Sequence, residues 1–237
     1  MLIEAGGARV LTDPMLRSRT AHLRRHGPAP NLENLGALDA VLLSHLHLDH
    51  CDLRSLALLG KDVRLLAPPG AGSFLRRRGF RAVEELPPGA TARVGGLTIS
   101  PTPARHSGRR PPLGPVATAT GFLLEGALRR LYFAGDTDLF PEMADLALGL
   151  DGRPLDAALL PVWGWGPTLG PGHLDPHRAA LHSGCCAPPS RCPSTGVRFA
   201  RQPSHDRAAT ARPSPRSSPS RRASSHTTPL CSRPRSR

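Results

Sequence analysis

Aromatic residues make up only 4% of this 237-residue chain. No apolar run approaches the roughly 18 residues that a membrane span requires. The start, Met1-Leu2-Ile3-Glu4, lacks a basic stretch followed by an apolar one, so no secretory signal is expected. Cysteine is almost missing from residues 1–182, where Cys51 stands alone. A paired-cysteine framework is thereby excluded, and a soluble protein of a reducing, cytoplasmic compartment is expected. Acidic side chains are almost missing from the other end. Residues 183–237 hold 11 arginines, no lysine and one acid, Asp206.

That imbalance accounts for most of the net charge of +13. Residues 1–182 carry 20 basic and 17 acidic groups, an ordinary balance for a globular protein. The division predicts a folded domain over 1–182 and a basic Arg/Ser/Pro-rich tail over 183–237 whose composition reads as disordered. A basic tail can bind nucleic acid through phosphates. With Phe199 as its one aromatic and no regular basic stripe, the tail disfavours nucleic acid as a partner here.

Along the first 182 residues, short β-rich runs alternate with turns and helices. Leu2–Glu4 and Arg9–Thr12, joined through Gly6-Gly7, predict a hairpin. Residues 13–36 read as a long irregular connection. Asp39–Leu43 is an apolar run bounded by polar residues, as for a strand buried on both faces. Helices are expected over 52–59, 71–79, 141–148 and 176–181. Further strands are expected over 63–67, 92–94, 97–100, 118–124, 130–134 and 155–162. Interleaved strands and helices indicate an α/β fold with two mixed sheets between helical layers.

The chemistry sits directly after the buried strand, in Ser44-His45-Leu46-His47-Leu48-Asp49-His50. A strand end followed by a tight loop lets His45 and His47 grip one ion. Asp49 and His50 then point toward a second position. Imidazole nitrogen with some carboxylate oxygen suits borderline ions such as Zn²⁺. Cys51 reads as a small buried thiol rather than a ligand, and His22 and His26 as solvated loop residues. Trp163-Gly164-Trp165-Gly166 reads equally well as a pocket-lining turn or as packing.

The HxHxDH pattern of His45–His50 resembles the metallo-β-lactamase-fold hydrolase superfamily. Pro103-Ala104-Arg105-His106 is similar to the family segment carrying a third histidine, and Tyr132-Phe133-Ala134-Gly135-Asp136-Thr137 to the strand ending in a metal-bridging aspartate. Gly7–Pro14 and Gly172-His173-Leu174-Asp175-Pro176 resemble the branch containing L-ascorbate-6-phosphate lactonase and N-acyl-phosphatidylethanolamine phospholipase D. The resemblance covers about residues 1–182. It implies an αββα four-layer sandwich, with His45, His47 and His106 on one metal, Asp49 and His50 on a second, and Asp136 bridging both. Two Zn²⁺ ions are implied, with Mn²⁺ an alternative. The implied activity is hydrolysis of a phosphodiester, lactone or related ester of a small-molecule or lipid-like substrate by a metal-bound hydroxide that Asp49 orients. His173 has two readings: a proton donor to the leaving oxygen, or a loop-ordering residue before the Pro176 helix.

The family pattern also contains a last histidine, followed by Trp-Gly-Thr, that closes the second metal site. His177, His182, His205 and His226 lack that context. Cys192–Phe199 can be encoded so that the same bases, read from the third one, give Pro-Ile-His-Trp-Gly-Thr-Phe. A reading-frame slip near Leu181–Ser183 is therefore expected, leaving the fold without its normal C-terminal part, the second metal weakened and activity low. The rival readings are a nuclease of the same fold with a nucleic-acid-binding tail, and a non-catalytic remnant.

Overall fold

The computed structural model describes residues 1–20, 23–24, 30–148, 152–161, 170–175 and 178–179. His22, His26, the Trp163–Gly166 turn, His177, His182 and the whole of 183–237, with the frame-slip reading attached to it, lie outside the described residues.

Two five-stranded sheets organise the described residues. The first begins with the expected hairpin, β1 (Leu2–Ala5) against β2 (Ala8–Thr12), paired Ile3 to Val10. It continues in parallel through β5 (Ala40–Leu42), β6 (Leu65–Ala67) and β7 (Val83–Glu85). The connection over 13–36 includes a short pair, β3 (Arg19–Thr20) with β4 (Leu23–Arg24), and a 3₁₀ turn over Leu32–Leu35. In the second sheet, β8 (Ala92–Val94), β9 (Leu97–Pro103), β10 (Thr120–Glu125) and β11 (Arg130–Phe133) form an antiparallel meander. The strand β12 (Ala157–Leu159) joins it in parallel beside β11.

Strand alternation explains the layers. In β5, Ala40 and Leu42 face the second sheet, and Val41 faces the other way. The inward set packs with Val10 and Leu66 against Ile99, Phe122, Leu124 and Phe133, which forms the core between the sheets. On the outer face of the first sheet, Val41, Leu43 and Leu65 meet Leu56 of α1 (Leu53–Leu58) and Phe74 and Leu75 of α2 (Gly72–Arg77). Tyr132 and Ala158 on the opposite outer face meet Met143 of α3 (Met143–Leu148). This is the αββα arrangement. Each fully buried Leu or Phe contributes about 1.5–3 kcal/mol, so the apolar pattern of these strands outweighs their shortness.

Local chemistry sets the helix ends. Asp52 caps α1 by accepting from the Ser55 amide at 3.2 Å, and Arg17 Nε donates to the same carboxylate at 2.8 Å. Strand β7 was not anticipated from its Val-Glu-Glu sequence. It is a sheet-edge strand, where half-exposed glutamates are tolerated, and Glu84 pairs with Arg64 at 2.8 Å.

Candidate metal centre

The end of β5 delivers the loop 44–50 into the rim between the two sheets. Two structures beside it bring in the remaining candidate residues. Strand β9 leads to His106, and β11 leads through Ala134 and Gly135 to Asp136. Gly135 has φ +60°, and a Cβ there would lie 2.4 Å from the Ser44 Cβ. Only glycine permits both the backbone turn and the close approach that sets Asp136 beside the histidine loop.

His45, His47 and His106 present ring nitrogens within 4.8 Å of one another. Asp49, His50 and Asp136 form a second such group, and Asp136 also clusters with His106 and His173. Asp136 Oδ2 lies 3.2 Å from His50 Nε2 and 3.7 Å from His173 Nε2, and His106 Nε2 is 3.1 Å from His47 Nδ1. Every candidate residue expected from the sequence is therefore brought together.

The opposite nitrogens of these rings are held by the protein. His106 Nδ1 donates to the Gly172 carbonyl at 2.8 Å, and His173 Nδ1 to the Gly170 carbonyl at 3.1 Å. Asp13 supplies the hold for His50, whose Nδ1 lies 2.6 Å from Asp13 Oδ2. The same carboxylate accepts from the Ser44 amide at 2.8 Å and the Ser44 hydroxyl at 2.5 Å. Ser44 Oγ in turn accepts from His45 Nδ1 at 2.9 Å. One carboxylate thus orients an imidazole in each group, as expected for outer partners of a metal site. Asp13 adopts φ +37°, a strained conformation for a residue with a side chain.

Asp13 was missed as a site residue because it is 31 positions from Ser44. Parallel pairing of Thr12 with Leu42 brings it into reach. The signal for it was its place at the end of a strand, before Pro14. Asp175 does order the loop beyond His173, accepting from the Arg178 amide at 2.8 Å, whereas His173 turns toward Asp136. Cys51 is buried and unpaired, and burial pushes its thiol up to about 12.

Whether these residues suit a metal is decided by what is left unsatisfied. With Nδ1 committed to Ser44, the buried His45 Nε2 has no hydrogen-bond partner among the described residues. A buried orphan nitrogen costs about 1–3 kcal/mol unless a cation or donor meets it. Burial, followed by the nearby His50 charge, holds His45 well below the usual histidine value. Burial lowers His47 and His106 too, so all three are neutral donors near pH 7. His50 differs. Burial opposes its charge, but Asp136, Asp49 and Asp13 outweigh that and hold it well above the usual value. Burial opposes ionisation of Asp136, yet His50 and His45 draw it well below the carboxylate range. Neutral imidazoles, ionised carboxylates and an orphaned Nε2 fit a divalent ion.

Comparison with known proteins agrees with this geometry. The family described as beta-lactamase superfamily domain matches residues 8–191. A metal-dependent hydrolase of Pyrobaculum arsenaticum is 30% identical over 182 residues, covering 72% of this chain and 70% of its own. An uncharacterized Mycobacterium tuberculosis protein is 34% identical over 188 residues, 75% of this chain and 50% of its own length. An N-acyl-phosphatidylethanolamine-hydrolyzing phospholipase D of Caenorhabditis elegans is 28% identical over 200 residues, 76% of this chain and 56% of its own. The chain thus spans about half the length of these last two relatives. Among solved structures, an isothiocyanate hydrolase from Delia radicum gut bacteria shares the fold with a TM-score of 0.61 at 23% identity, covering 78% of this chain and 76% of its own. By sequence match and by architecture, the chain belongs to the metallo-β-lactamase superfamily.

Proposed function

We propose that this chain is a metal-dependent hydrolase of a phosphodiester, lactone or related ester. The observation that carries the reading is the convergence of ring nitrogens whose far sides are fixed by Ser44, Asp13 and Gly172, with His45 Nε2 left unpartnered among the described residues. His45, His47 and His106 would hold one ion, Asp49 and His50 a second, and Asp136 both. The donor chemistry favours Zn²⁺, with Mn²⁺ next. When bound, two such ions would polarise the scissile group and acidify water.

The chain's own residues then have separable tasks. Asp49 is the most exposed of the acidic groups in the cluster, with 22% of its side chain accessible. It orients the attacking water and accepts its proton as the new bond to phosphorus or carbon forms. His173 has its Nδ1 tied to Gly170 and its Nε2 turned inward. In its doubly protonated form it passes the Nε2 proton to the leaving oxygen as the ester bond breaks, and the proton that Asp49 took from the water recharges it. Asp136 stays ionised, and His50 gives up its proton when a cation replaces it.

The name of the Caenorhabditis elegans relative supports a phosphodiester as the first substrate class. The second ion should be the weaker one, because its donor group depends on Asp136, which both positions share. A screen of Zn²⁺- and Mn²⁺-loaded protein over phosphodiesters, lactones and thioesters tests the reading. Turnover of an ester that chelation abolishes supports it; no turnover with any metal or ester class would overturn it. No helix among the described residues is long and apolar enough to cross a membrane.

A further inference from the structure

Arg110 is a buried cation to which nothing above gives a task. It lies four residues after His106, is 9% exposed, and sits beneath the loop that carries four of the candidate metal-binding side chains. Its Nη1 donates to the Leu46 carbonyl at 2.8 Å and to the Cys51 carbonyl at 2.9 Å. Its guanidinium carbon stands 5.2 Å from the centre of the Phe74 ring. Leu46 and Cys51 bracket His47, Leu48, Asp49 and His50. Between them the backbone makes a tight turn, with the Cys51 amide donating to the His47 carbonyl at 2.8 Å. One nitrogen therefore ties together the entry and the exit of that turn.

The segment that carries Arg110 is itself anchored. The Arg110 amide donates to the Pro115 carbonyl at 3.0 Å, and the Gly114 amide donates to the Arg110 carbonyl at 2.8 Å. The Ala117 amide donates to the Gly108 carbonyl at 3.1 Å, closing the base of the loop. Burying a guanidinium is costly, and one placed beside a cation site opposes metal binding by charge. Its value must come from geometry.

We infer that Arg110 is a positioning residue for the metal centre, clamping the Leu46 and Cys51 carbonyls so that His47, Asp49 and His50 are preset for their ions. The inference rests on the metal-centre reading above. It makes a prediction opposite in sign to simple electrostatics. Removing a positive charge next to a cation site should tighten metal binding if charge alone mattered; removing the clamp should weaken it.

The test uses Co²⁺ alone, with the full chain, reading visible absorption and affinity by chelator competition. Arg110→Met, which keeps the length but loses the donors, should weaken Co²⁺ binding about tenfold or more, in the range for lost outer partners, and alter the absorption bands. Arg77→Met, which removes an exposed charge from α2 and touches none of the candidate ligands, should leave both unchanged. Arg110→Lys, which keeps the charge and can reach a carbonyl, should fall between the unchanged chain and Arg110→Met. It carries the test by itself, at several-fold weaker binding, if Arg110→Met fails to fold. Affinity equal to or tighter than that of the unchanged chain in a folded Arg110 variant would overturn the clamp while leaving the metal centre intact. Failure of the unchanged chain to take up Co²⁺ would overturn the metal reading, and the clamp with it.

Discussion

Asp13 and His50, 37 residues apart in the chain, meet at 2.6 Å between Oδ2 and Nδ1, and that contact fixes which His50 nitrogen faces the candidate metal positions. The same carboxylate reaches His45 through Ser44. Replacing Asp13 by alanine frees two rings at once. Zinc affinity, measured by chelator competition, should fall about 10–100-fold. An Asp13→Ala protein that folds and binds zinc as before would show that these rings need no outer support.

Gly135 couples the two sheets at the site. Alanine there must accept a positive φ and a Cβ placed 2.4 Å from that of Ser44. The expected cost is about 2 kcal/mol or more, read as a lower denaturant midpoint. An unchanged midpoint would mean that the Ser44 loop yields freely.

Asp52 links α1 to Arg17. Burial raises its pKa, but hydrogen bonds from Arg17 and Ser55 outweigh burial and hold it below the usual carboxylate value. A depressed folded pKa stabilises the fold above the unfolded value, and the gain disappears as pH falls through the folded one. Asp52→Ala should cost about 1–2 kcal/mol at neutral pH, as for a lost cap. The difference from the unchanged chain should shrink below about pH 4. A difference constant from pH 7 to pH 3 would contradict this account.

Cys51 should be inert in the folded chain. With its thiol pushed up to about 12 by burial, it is protonated at pH 8 and out of reach of reagents. Peptide mapping after iodoacetamide treatment should find Cys51 unmodified until denaturant is added. Rapid labelling in the native state would place it at an accessible surface.

Much of the site was legible because the ligand-type residues are close in sequence or end recognisable strands. His45, His47, Asp49 and His50 follow a short apolar run that reads as a buried strand, and Asp136 follows another. Their partners were not legible. Asp13 reaches His50 only through parallel pairing of β2 with β5, and Arg110 reaches Leu46 across 64 positions. In the fold, the buried strands declared themselves through apolar runs. The edge strand β7 did not, because Glu84 and Glu85 satisfy an exposed edge without an apolar signature.

Zinc titration of the unchanged chain, followed by metal analysis after gel filtration in metal-free buffer, tests the central claim most directly. The account predicts one zinc per chain retained through the column, a second bound more weakly in titration, and loss of the retained ion in His45→Ala. A chain that retains no zinc, or a folded His45→Ala that retains as much as the unchanged chain, would contradict it.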